Sequence, residues 1–151
     1  MPLEFTTFDV CKSLDIKRET LKDWLNKGFI KASRSTTDSR GQKSFFDGWE
    51  LHCIYLFREI VNKGMSRELA SRIVDTIRPL NPINTNEHIR NKEYLIVVQT
   101  KTGHLRAQFY SWNDCPDLKS IATPDEFENI FVWNFKPIIE DVEKLTSDSS
   151  D

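Results

Sequence analysis

Phe5-Thr-Thr-Phe-Asp-Val-Cys-Lys-Ser-Leu-Asp-Ile-Lys-Arg-Glu-Thr-Leu-Lys-Asp-Trp-Leu-Asn-Lys-Gly-Phe-Ile30 is the stretch on which the fold turns. Residues 7–14 begin with a capping threonine and place Phe8, Val10, Cys11 and Leu14 at helical spacing. Asp15-Ile16 makes a turn, and residues 17–27 resume the helical period with Leu21, Trp24 and Leu25 as the apolar stripe. Gly28 follows as a C-terminal cap residue should. Two helices of roughly two to three turns joined so tightly must cross steeply, which is a helix-turn-helix. Phe29 and Ile30 then enter a strand, residues 33–41 form a polar, flexible loop, and Lys43-Ser-Phe-Phe46 returns as a second strand. That order reads as a wing. A loop of such length in a small head points to function.

Working outward, Asp47 opens a longer helix to about Asn62, apolar at Leu51, Cys53, Ile54, Leu56, Phe57, Ile60 and Val61. Lys63-Gly64 stops it, and Ser66 caps a further helix to about Ile77. Pro79 and Pro82, set among Asn81, Asn84 and Asn86, mark a linker. Beyond it, residues 93–99 and 104–111 are β-rich runs around Thr100-Lys-Thr-Gly103, the pattern of a hairpin. Residues 130–133 make a third strand, and Pro137 lies near the start of a helix whose apolar face is Ile138, Ile139, Val142 and Leu145. The expectation is an α+β protein: a winged helix-turn-helix head over residues 1–78, a linker over 79–92, a hairpin, strand and helix over 93–145, and a flexible tail over 146–151.

Composition bounds the function. The 151 residues suffice for a real core, and 38% hydrophobic content suits a globular chain. No apolar run approaches the ~20 residues that cross a bilayer, and Met1-Pro-Leu-Glu-Phe lacks the charged and apolar regions of a signal peptide. Cys11, Cys53 and Cys115 are odd in number and widely spaced, which fits a reducing cytoplasm and small buried or half-buried thiols. Net charge is −2, but it is divided. Residues 1–80 hold 14 Lys/Arg against 11 Asp/Glu, and residues 81–151 hold 7 against 12. Residues 12–43 hold 9 against 4, a local excess of five positive charges.

Enzymatic signatures are missing from the sequence. His52, His88 and His104 stand apart from any second ligand at metal spacing, and His52 and Cys53, being adjacent, point to different helix faces. No phosphate-binding loop, dinucleotide glycine motif or nucleophile elbow occurs. Neither a cofactor nor a metal is expected. Duplex DNA is the expected partner, because a recognition helix needs one exposed face that reaches base edges and phosphates. With Leu21, Trp24 and Leu25 buried, Lys17, Arg18, Thr20 and Lys22 face outward in the helix's first half. Arg18 suits guanine or phosphate, and Thr20 suits phosphate or a thymine methyl. Arg34, Arg40 and Lys43 lie in the wing, placed to straddle the neighbouring backbone.

Residues 5–30, with Arg40-Gly-Gln-Lys-Ser-Phe-Phe46 and Leu51-His-Cys-Ile-Tyr-Leu-Phe-Arg-Glu-Ile-Val-Asn-Lys-Gly-Met-Ser66, resemble the MerR-type winged helix-turn-helix regulators over about residues 4–75. In that family a helix and a Val or Ile turn lead to Thr-Leu-Arg-Tyr-Tyr, a Lys-Gly-Leu step and a basic, aromatic wing. Thr20, Leu21 and Gly28 match; Lys22 stands at the arginine, Asp23 at the first tyrosine and Trp24 at the second. Lys43 stands near the wing arginine, Phe45 or Phe46 near the wing tyrosine, and Gly64 at the glycine before the head's last helix. The long antiparallel dimerisation helix of full-length regulators has no counterpart. The resemblance implies transcriptional regulation by sequence-specific duplex binding, and a homodimer is the economical form for specificity. An excisionase-like architectural protein and a protein-interaction module without DNA affinity are the alternatives. Tyr94, Tyr110, Trp112, Trp133 and Phe135 suit either a small-molecule or protein effector site or ordinary sheet core.

Overall fold

The structure, a computed structural model, describes residues 4–82 and 88–149. Part of the linker expected over 79–92 therefore lies outside the described residues. The chain divides into two units, Met1–Ser71 with Asp141–Asp151, and Arg72–Glu140. Helix and strand are mixed, and the α+β class holds.

In the first unit, β1 (Glu4–Thr6) leads into α1 (Thr7–Leu14). Thr6 caps that helix rather than Thr7: its hydroxyl accepts the Asp9 N–H at 3.2 Å while the Asp9 carboxylate accepts the Thr6 N–H at 2.9 Å. Val10 and Leu14, four apart, are fully buried. Phe8, expected on the same stripe, is instead 73% exposed, because it sits on the opposite side of the helix from that pair. Asp15 closes α1 in the left-handed region at φ 53°, and Ile16 N–H donates to the Cys11 carbonyl at 3.1 Å. That bond and the one from Asp15 N–H to the Lys12 carbonyl make a Schellman turn on a non-glycine residue.

α2 (Arg18–Asn26) follows, with Leu21 and Trp24 buried and Leu25 only half-buried. Gly28, at φ 76°, ends it in the same kind of turn, with Phe29 N–H on the Trp24 carbonyl at 2.9 Å. Trp24 then meets Phe57 edge-on at 5.0 Å, and Phe29 stacks on Phe57 at 5.9 Å. These rings hold α2 against α3 (Gly48–Asn62), which Asp47 caps by accepting the Glu50 N–H at 2.8 Å.

The wing departs from expectation. Phe29 and Ile30 belong to the turn after α2, and the first wing strand, β2 (Arg34–Asp38), occupies much of the segment expected as a loop. β3 (Gly41–Asp47) pairs antiparallel with β2 around a tight Ser39-Arg40 turn, and with β1 on its other side. The polar residues of β2 are all exposed, so they carry no apolar alternation by which a strand is recognised. Gly64 then closes α3, and Ser66 caps α4 (Arg67–Ile77) by accepting the Leu69 N–H at 3.1 Å.

The second unit is built on β4 (Tyr94–Thr100), which lies between β5 (Leu105–Tyr110) and β6 (Phe127–Asn134) in an antiparallel sheet. β4 and β5 form the expected hairpin, and Arg72 donates to the carbonyl of Gly103 at its turn. A short helix, α5 (Leu118–Ile121), precedes β6, and α6 (Lys136–Ser149) follows it. Ile138, Ile139 and Val142 on α6 are buried. Tyr94 and Trp133 lie on opposite faces of the sheet, since Trp133 pairs in register with Leu95. Phe135 is buried against Phe109 at 4.9 Å, and Trp112 packs on Tyr94 at 5.4 Å while staying 67% exposed. The five aromatics are thus spread over both faces and the core; of them, Tyr110 borders a cleft of about 330 Å³ on the Ile96 face. No helix among the described residues is long and apolar enough to cross a membrane.

Candidate nucleic-acid interface

The exposed surface of α2 follows from its buried one. With Leu21 and Trp24 turned inward, Arg18, Lys22 and Asn26, spaced four apart, form an exposed stripe, and Lys17 flanks it as the cap residue. Thr20 is half-buried. Lys17 provides no side-chain cap, so the charged first turn is held only by backbone bonds. Asp23, which stands where an aromatic was expected from the resemblance, forms an ion pair with Lys27 at 3.2 Å. Its negative charge is met within the helix, at a spacing that links successive turns.

The wing presents its cations differently from one another. Arg40 sits at the hairpin turn, where its N–H donates to the Asp38 carboxylate at 2.7 Å and its side chain is exposed. Lys43 is exposed on β3 opposite Thr36. Arg34 is paired within the protein while its side chain stays 51% exposed: its guanidinium lies 4.1 Å over the Phe45 ring and 3.1 Å from the Glu4 carboxylate. Register explains this, because Thr6, Phe45 and Arg34 form one row across β1, β3 and β2. The expectation that Arg34, Arg40 and Lys43 straddle the neighbouring backbone did not include Glu4, because β1 has only three residues and no signal of its own in the sequence.

Between α1, the start of α2 and β3 lies a groove of about 390 Å³. Of the seven residues expected to contact DNA, it brings together Arg18 and Lys43; Lys17, Thr20, Lys22, Arg34 and Arg40 lie outside its lining. Phe8 and Cys11, three apart on α1, line it as well. Burial pushes the Cys11 thiol up, the nearby Arg18 guanidinium pulls it down, and the Glu19 carboxylate pushes it up again. Among the described residues no group of three or more His, Cys, Asp or Glu side chains is arranged to hold a metal. None of the cysteines there forms a disulfide.

A helix-turn-helix with a basic exposed helix face, followed by a basic two-stranded wing, defines a DNA-binding head of the winged class. Residues 5–77 match the family described as MerR HTH family regulatory protein, which supports a MerR-type helix-turn-helix DNA-binding region over that stretch. No curated protein matches the chain significantly.

Proposed function

We propose that the chain is a sequence-specific double-stranded DNA-binding regulator that acts as a homodimer in the cytoplasm. Lys17, Arg18, Thr20 and Lys22 enter the major groove, and Arg34, Arg40 and Lys43 steady the flanking backbone. Residues 93–145 serve dimerisation or effector binding. The observation that carries this reading is the placement of Arg18, on the recognition helix, and Lys43, on the wing, along one groove. The local excess of positive charge over residues 12–43 supports it, since phosphate contacts dominate duplex affinity.

Titration of labelled duplex fragments against salt tests the reading. Neutralising about four phosphates lowers affinity roughly a hundredfold between ~50 and ~200 mM salt. A bound duplex that also survives competition by random fragments is the expected result. Absence of binding at both concentrations would leave the fold as a protein-interaction module and defeat the proposal.

A further inference from the structure

We propose that the groove between α1, α2 and β3 seats one sugar–phosphate unit of the bound duplex, with the Phe8 ring against the deoxyribose and Arg18 and Lys43 on the phosphate. The proposal rests on the DNA-binding reading above and extends the interface to a helix that reading leaves unused. Three observations converge on it. Phe8 is a large apolar side chain left 73% exposed at the mouth of a groove, on the side of α1 opposite the buried Val10 and Leu14. The lining combines two cations with the hydroxyls of Thr6, Thr7 and Ser44 and the amide of Gln42, and it contains no carboxylate. Its volume, about 390 Å³, is in the range that holds a small polar ligand fragment.

Charge selects the occupant. An apolar peptide would gain nothing from Arg18 and Lys43, whereas a nucleic-acid strand combines an anion with a partly apolar sugar, as the lining combines those cations with Phe8 and Phe45. Arg18 belongs both to the groove's lining and to the exposed stripe it forms with Lys22 and Asn26 on α2, so a strand seated in the groove has a basic helix face beside it.

Cys11 provides a reporter inside the groove, where Cys53 is buried elsewhere and Cys115 is exposed. In the full-length Cys115→Ser protein, labelling of Cys11 by N-ethylmaleimide is followed with and without a saturating duplex recovered by the protein from a random-sequence pool. The duplex should slow labelling to a small fraction of the free rate. Phe8→Ala should weaken binding about five- to tenfold, with the urea midpoint unchanged because the ring is exposed, and Phe8→Tyr should keep wild-type affinity. A duplex that binds, by mobility shift, while Cys11 labels at its free rate overturns the groove proposal and leaves DNA binding intact. Unchanged affinity in Phe8→Ala overturns it equally, and decides alone where the free thiol reacts too slowly to follow. Recovery of no duplex from the pool overturns both the groove and the reading beneath it.

Discussion

At the scale of single residues, two side chains on the first unit separate recognition from stability. Arg18 opens α2, is exposed, and lines the groove, so its loss removes a contact without opening a cavity. Arg18→Ala should cost about 1–3 kcal/mol of binding, equally on cognate and random duplexes, as the loss of a phosphate contact does. A loss confined to the cognate duplex would assign Arg18 to a base edge instead. His52 is the opposite case. Its Nδ1–H donates to the Gly48 carbonyl at 2.6 Å, its ring lies 5.6 Å from that of Trp49, and burial holds its pKa down at about 4. Between that value and the ordinary 6.5 the unfolded chain binds the extra proton, so stability rises with pH through this window and is unaffected by His52 above it. As pH falls from 6.5 towards 4, the wild type should lose up to about 1.4 kcal/mol per pH unit from this group. His52→Gln should show a shallower pH dependence in urea unfolding, and parallel curves would refute the role. The place of His52 on the long helix is legible in the sequence; its burial and its pKa are not, because both depend on which neighbours exclude water.

At the scale of elements, the turn between α1 and α2 sets the angle of the recognition helix, and Asp15 bears its strain. An L-residue in the left-handed region is crowded by its own Cβ, and aspartate tolerates this better than branched residues do. Asp15→Val should therefore lose about 1–2 kcal/mol of stability, while Asp15→Gly should be at least as stable as wild type. A valine variant melting with the wild type would show that the turn is not strained. Both helices and the caps at Asp47 and Ser66 were legible, since apolar spacing and capping chemistry are local. The wing strands were legible only in part. β2 is exposed throughout and held by pairing with β3, so nothing in its own residues announces it, and β1 is too short to carry a pattern. Phe8 misled for the same reason: helical spacing names two faces, and only packing chooses between them.

At the scale of the whole molecule, the question is how a head this small reaches specificity. A single helix-turn-helix reads few base pairs, and a two-fold dimer reads two half-sites about one helical turn apart. The duplex recovered from a random pool should accordingly be palindromic, with half-sites spaced by about 10 base pairs or a multiple of it. A single asymmetric site would mean that one copy binds alone. The apolar stripe of α6 is buried within the chain at Ile138, Ile139 and Val142, which leaves less of it to serve as a seam between copies.

Local chemistry along the chain dictated the helix-turn-helix, its stop at Gly28, the β-hairpin of residues 94–110 and the concentration of positive charge in the head, because each depends on neighbours a few positions away. Folding alone set Arg34 against Glu4 and Phe45, brought Arg18 and Lys43 to one groove with Phe8, and joined residues 141–149 to the first unit. Those facts join residues far apart in the chain, and no local period or propensity encodes which distant surfaces meet.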